Sequence, residues 1–187
     1  MFPEINTNRL WLRQIQSQDL PQIFKGLSHP DVIRFYGVNY QSIEETKAQM
    51  DWFAYLEKTK TGIWWAVCSK KTKEFLGAGG INNVDRINLT AELGYWLLPQ
   101  YWSNGFMTES LPHIIAYAFE SFGLNQVVGI VESKNEICKK SITRFGFIPD
   151  PSLNFTEYKN GSFIKLEVYI FHKNTPFPTF TQPKQSL

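Results

Sequence analysis

The sequence predicts an α/β fold, a mixed (α+β) central sheet flanked by helices. Three observations predict it. Short runs of aromatic and branched residues, GIWWAVCSK over 62–70 and AELGYWLL over 91–98, read as buried strands. Runs with helical spacing and capping signals lie between such strands, beginning near Ser42 and Asn135. Helical patterns also stand on either side of the strand at 126–132, while the chain closes on a hairpin marked by Asn160-Gly161.

The elements follow in order. Arg9 to Arg13, RLWLR, alternates as a strand with Leu10 and Leu12 on one face. Ser17-Gln18-Asp19 starts a helix through about Leu27, apolar at Leu20, Ile23 and Leu27, and His29-Pro30 breaks it. Asp31 to Tyr36 predicts a second short helix, followed by a loop through Gly37 and Asn39. Ser42 and Glu45 make the S-x-x-E capping box of a helix to about Lys58, with Met50, Phe53 and Leu56 inward. The strand at 62–70 turns at Lys71-Thr72-Lys73 into FLGAGGI, about 75–81, whose glycines allow a bulge or a close approach. Asn82 to Asn88 reads as a polar loop into the strand at 91–98, which Pro99 ends. A helix then runs to about Phe122, with Pro112 as a kink inside it and Gly123 as its stop. Gln126–Glu132 is a buried strand. Asn135 opens the next helix, Gly146 closes it, and Phe147 begins the last hairpin.

The 187 residues predict one domain over 1–172 and a polar, proline-containing tail over 173–187, partly ordered at best. A net charge of +2 does not imply a nucleic-acid surface, and no nucleic-acid partner is expected. Cys68 and Cys138 make neither a disulfide framework nor a zinc cluster, and His29, His113 and His172 are too scattered for metal spacing. No secretory leader opens the chain and no apolar run reaches the ~20 residues of a membrane span, so the expectation is a cytoplasmic protein without metal or membrane.

Ala91 to Glu109, AELGYWLLPQYWSNGFMTE, organises the rest. It reads as strand, short loop and first helical turn. Such a loop leaves backbone N–H groups converging where the helix dipole favours an anion, a phosphate or pyrophosphate. One glycine before a helix, taken alone, is more simply loop punctuation.

GYWLLPQYWSNGFMTESL resembles the acetyl-coenzyme A loop of the GNAT acetyltransferases, in the RimJ/RimL-type form close to GYWL-P-YWGKG-ATEAL. Gly94, Tyr95, Trp96, Leu97, Pro99, Tyr101, Trp102, Gly105, Thr108 and Glu109 fall on that pattern; Ser103 and Met107 depart from it. TNRLWLRQI resembles the T-x-RL-x-LR opening of the same branch. The resemblance spans about residues 7–172. It implies a GNAT-like acyl-CoA N-acyltransferase fold with acetyl-CoA as cosubstrate. The family's fourth and fifth strands splay, and the pantetheine arm pairs with the fourth as an added strand. The implied cofactor-binding residues are Leu97 and Leu98 through their backbones, Trp102, Ser103, Asn104, Gly105, Phe106, Met107 and Thr108 in the loop and helix start, and Asn135.

Glu92 is the candidate base, in the place where the family often carries a carboxylate; the other reading is a structural strand glutamate. Asn135 and Cys138 resemble the family's Asn-x-x-Ser. Asn135 would touch pantetheine or cap the helix, and Cys138 would protonate the leaving thiolate or be an inert filler. Lys139 and Lys140 could reach a phosphate or form a solvated face.

The implied reaction is acetyl transfer from acetyl-CoA to a primary amine by direct attack in a ternary complex. The acceptor is a protein N-terminus, such as that of a ribosomal protein, or a small amine. The rival expectation is a non-catalytic coenzyme A-binding or protein-interaction module. The final hairpin and tail could pair across a homodimer.

Overall fold

The computed structural model describes residues 1–159 and 161–178. Asn160 of the expected Asn160-Gly161 turn and the tail from 179 lie outside the described residues. The elements are β1 (Ile5–Asn6), β2 (Leu10–Gln14), α1 (Leu20–Leu27), α2 (Pro30–Ile33), α3 (Ile43–Thr59), β3 (Ile63–Ser69), β4 (Phe75–Asp85), β5 (Thr90–Leu97), α4 (Phe106–Ser121), β6 (Gln126–Glu132), α5 (Glu136–Phe145), β7 (Ile148–Pro149), β8 (Phe155–Lys159) and β9 (Ser162–His172).

One sheet runs β1-β2-β3-β4-β5-β6-β9-β7, with β8 also on β9. Its first five strands pair antiparallel in sequence order. β5 and β6 are parallel, as a helical crossover requires. Both sheet faces are covered. Ile114, Ile115 and Phe119 of α4 and Phe145 of α5 fill one side with Leu10, Leu12, Trp65 and Phe171. Ile23 and Leu27 of α1 and Phe53 and Leu56 of α3 fill the other with Trp64, Trp96 and Leu98. This double burial explains why β3 is an unbroken apolar run.

Local signals placed most helix ends. The Ser42 hydroxyl accepts from the Glu45 N–H at 3.1 Å. The reciprocal half of the box differs, since the Glu45 carboxylate accepts from the N–H of Gln41 at 2.8 Å. Asn135 caps α5, Gly146 closes it in the left-handed region, and α4 continues through Pro112. After β9, Phe177 stacks on Phe171, so the first tail residues return to the core.

The expected loop over Asn82–Asn88 is corrected. β4 continues to Asp85, because β5 offers a partner as far as Thr90. The register passes from Asn82↔Glu92 to Asp85↔Thr90, so β4 carries one extra residue there, a β-bulge.

The feature that makes a site lies between β5 and β6. Their ladder has three pairs, from Thr90↔Gln126 to Glu92↔Val128. Beyond it β5 follows β4 to Leu97, while β6 follows β9 to Glu132. The sheet therefore opens into a wedge whose apex is Glu92.

Candidate active site

Backbone alternation decides which groups line the wedge. Leu98 N–H donates to Leu76 O at 2.9 Å, so it points toward β4. Its carbonyl accepts from Tyr101 N–H at 2.9 Å. The expectation that Leu98 pairs with pantetheine through its backbone is thus corrected. In an antiparallel ladder alternate residues face opposite ways, so Leu93, Tyr95 and Leu97 turn their N–H and C=O groups toward the wedge. The Leu97 carbonyl accepts from the Trp102 indole at 2.8 Å, which leaves its N–H as the group facing the gap.

At the far end of β5 the loop reaches α4. Ser103 (φ 62°) and Gly105 (φ 74°) are both left-handed, and Gly105 is the N-cap of a 16-residue helix. Gly105 brings no side-chain cap, so the first-turn N–H groups of Phe106, Met107 and Thr108 are left to an incoming acceptor. The two departures from the family pattern fit this cradle. Ser103 adopts the conformation a glycine would have. Met107 packs with Phe106 against the core.

The loop is fastened from a distance. Arg9 Nη1 donates to Asn104 O at 3.0 Å, and Arg9 Nε lies 2.6 Å from the Glu109 carboxylate. Arg9 N–H and the Thr7 hydroxyl donate to that carboxylate as well. The Arg9 guanidinium lies 4.8 Å from the centroid of the Phe106 ring. Burial raises the Glu109 carboxyl's pKa, but the donors from Thr7 and Arg9 outweigh it and hold it below its ordinary 4.5. The two sequence motifs, TNRL and MTES, thus meet as one latch. The Asn104 amide braces Trp102 O at 3.0 Å.

Glu92 sits at the apex, half-buried, on the α1–α3 face with Gly94 and Trp96. Its Oε2 accepts from the amides of Asn83 at 2.7 Å and Asn82 at 3.4 Å. Tyr36, from the segment after α2, comes close enough that burial and the Glu92 charge together push its hydroxyl's pKa well above the ordinary 10. Lys159 at the end of β8 donates to Tyr36 O at 2.8 Å and to the buried Glu132 carboxylate at 2.9 Å. The α2–α3 connection, β6 and β8 are thereby tied together on this side. Sequence reading missed Asn82, Asn83, Tyr36 and Lys159. Only the Asn-Asn pair before A-E offered a signal, and it read as a loop.

Asn135 follows β6, where its side chain caps α5 by accepting from the Cys138 N–H at 3.1 Å. Cys138 is half-buried against the α4–α5 core, and burial pushes its thiol above its ordinary 9.0. It is a protonated thiol near neutral pH, suited to donating a proton rather than to attack. Lys139 is held by Glu136 at 2.6 Å and lies 3.7 Å from Glu167, and His113 is exposed. Among the described residues, no group of three or more His, Cys, Asp or Glu is placed to hold a metal. No helix among them is long and apolar enough to cross a membrane.

The family description "Acetyltransferase (GNAT) domain" matches residues 9–148. The uncharacterized N-acetyltransferase YoaA of Bacillus subtilis is 35% identical over 170 residues, 90% of this chain and 96% of that protein. The ribosomal-protein-serine acetyltransferase of Escherichia coli is 27% identical over 99 residues, 53% of this chain and 55% of that protein. The spermidine N-acetyltransferase of Vibrio cholerae, solved with coenzyme A and spermine, superposes with a TM-score of 0.77 at 16% identity, covering 89% of this chain and 97% of that one. With the wedge, the uncapped helix start and the loop motifs all in place, this chain belongs to the GNAT acetyltransferase family and is an acetyl-CoA-dependent N-acetyltransferase.

Proposed function

We propose that this enzyme acetylates the terminal α-amine of a polypeptide by direct attack within a ternary complex, with Glu92 as the base. The observation that carries this reading is the position of Glu92, the last residue of β5 laddered to β6, where the wedge begins. Acetyl-CoA supplies the activated thioester. Its pyrophosphate belongs at the N-terminus of α4, on the N–H groups around Ser103 to Thr108, and its pantetheine arm belongs against Tyr95 and Leu97. A carboxylate at the apex takes the amine proton as the new bond forms. Cys138 returns a proton to the leaving thiolate. Holding the two reactants together supplies much of the acceleration.

The acceptor follows from charge. The RimJ/RimL-type motifs and the names of the relatives leave two classes, protein N-termini and polyamines. Glu132 is paired with Lys159, which removes one carboxylate from any set that could bind a polycation. An α-amine, with a pKa of about 8, is also more often neutral at pH 7 than an alkyl amine near 10.4. The two free thiols fit a reducing compartment such as the cytoplasm. Exposed Ile148, Phe155, Tyr158 and Phe163 on the β7–β9 edge are suited to contact with a second copy.

The test is a thiol-release assay with acetyl-CoA and three acceptors, octapeptides beginning with serine or alanine and spermine. Turnover of a peptide supports the reading; turnover of spermine alone overturns the acceptor class. Gly105→Glu should abolish acetyl-CoA binding in calorimetry.

A further inference from the structure

The β4 bulge is built in a way that its backbone alone does not require. Asn82 is paired with Glu92 in register, so its side chain stands opposite the carboxylate on the same face. Strand alternation would send Asn83 to the other face. Instead Asn83 takes φ 52° at the extra residue, and its amide turns back onto the same Glu92 oxygen at 2.7 Å. Glycine meets a left-handed bulge position without cost, and asparagine is the side chain that tolerates it while still carrying a donor. The bulge is also pinned from behind, where Val84 N–H donates to Thr61 O at 3.0 Å. Both amides go to Oε2, the one Glu92 oxygen with hydrogen-bond partners among the described residues.

We propose that Asn83 is a positioning residue for acetyl transfer: the left-handed bulge delivers its amide to Glu92 Oε2, fixing the carboxylate's rotamer so that Oε1 is presented to the acceptor's N–H. The inference rests on Glu92 being the base. Asn82 seconds the contact at 3.4 Å, but the short bond is that of Asn83. As the amine attacks the thioester carbon, its proton passes to Oε1 while Oε2 stays anchored. An unanchored glutamate would distribute among rotamers, most of them unproductive.

Steady-state kinetics on Asn83→Gly and Asn83→Asp, each alone and combined with Glu92→Gln, test this with the serine-initiated octapeptide and spermine. Glycine suits the left-handed backbone, so the melting temperature of Asn83→Gly should hold or rise. Its kcat should fall roughly ten- to a hundredfold with the acetyl-CoA KM within about twofold. Asn83→Asp keeps the turn but has no donor when ionised, and should lose as much. In the Glu92→Gln background neither change should slow the enzyme further. A wild-type kcat in Asn83→Gly, or an undiminished fall in that background, would overturn the inference while leaving Glu92 as the base. A Glu92→Gln enzyme as fast as wild type, or a wild-type enzyme inert toward both acceptors, would remove the underlying reading and the inference with it.

Discussion

Ser103 holds a left-handed backbone (φ 62°) with a side chain that glycine would dispense with. A β-carbon there costs about 1 kcal/mol, so Ser103→Gly should raise stability by about that amount, a gain of a few °C in a melting curve. Acetyl-CoA affinity should stay the same or improve, because the loop then reaches its bound shape without strain. Cys138 makes a prediction about pH. Burial raises its thiol above 9.0, so the protonated form needed by a general acid persists through neutral pH and is lost only on the alkaline side. The rate should therefore hold to about pH 9 and fall beyond it. Cys138→Ser should remove that alkaline fall, and Cys138→Ala should lower kcat while the thiol is protonated, the difference closing on the alkaline side.

The Arg9–Glu109 latch joins the residue before β2 to the start of α4 across a hundred residues of sequence. Glu109 is depressed in the folded state. Its stabilising contribution is therefore full above the unfolded value near 4.5 and disappears as pH falls through the lower folded value. Glu109→Gln leaves Arg9 without its carboxylate, so it should cost roughly 1.5–3 kcal/mol near neutral pH and much less in acid. Acetyl-CoA binding should weaken in parallel, since Arg9 also holds Asn104 O. The latch was invisible in the sequence, where its halves appeared only as two motif fragments. Local chemistry was legible: Leu10 and Leu12 alternate into the core, Ser42 and Asn135 cap, and Gly146 stops α5. The Asn82–Asp85 stretch was not legible, because polar residues read as loop and only the neighbouring β5 makes them strand. The two-residue strand β1 escaped for the same reason, since it exists through a partner and carries no pattern of its own, and the expected hairpin strand from Phe147 is divided into β7 and β8.

At the scale of the whole molecule, the sheet has one face for α4 and α5 and another for α1 and α3, with the wedge passing between β5 and β6. Close packing keeps that geometry. A β-carbon at Gly94 would lie 2.2 Å from the Trp64 ring, so Gly94→Ala must displace either Trp64 or β5. It should cost about 1–3 kcal/mol and lower kcat as well, because Glu92 is two residues away on the same face. If the β7–β9 edge joins two copies, light scattering should give twice the 21.7 kDa chain mass, and Phe163→Glu should return it to the monomer value. The proposed chemistry turns on Glu92 performing the proton transfer. The most direct test is the kcat of Glu92→Gln with a peptide acceptor, measured beside its calorimetric affinity for acetyl-CoA. The predicted result is a rate lower by roughly 10²–10⁴-fold with affinity unchanged. A rate within twofold of wild type would contradict the account.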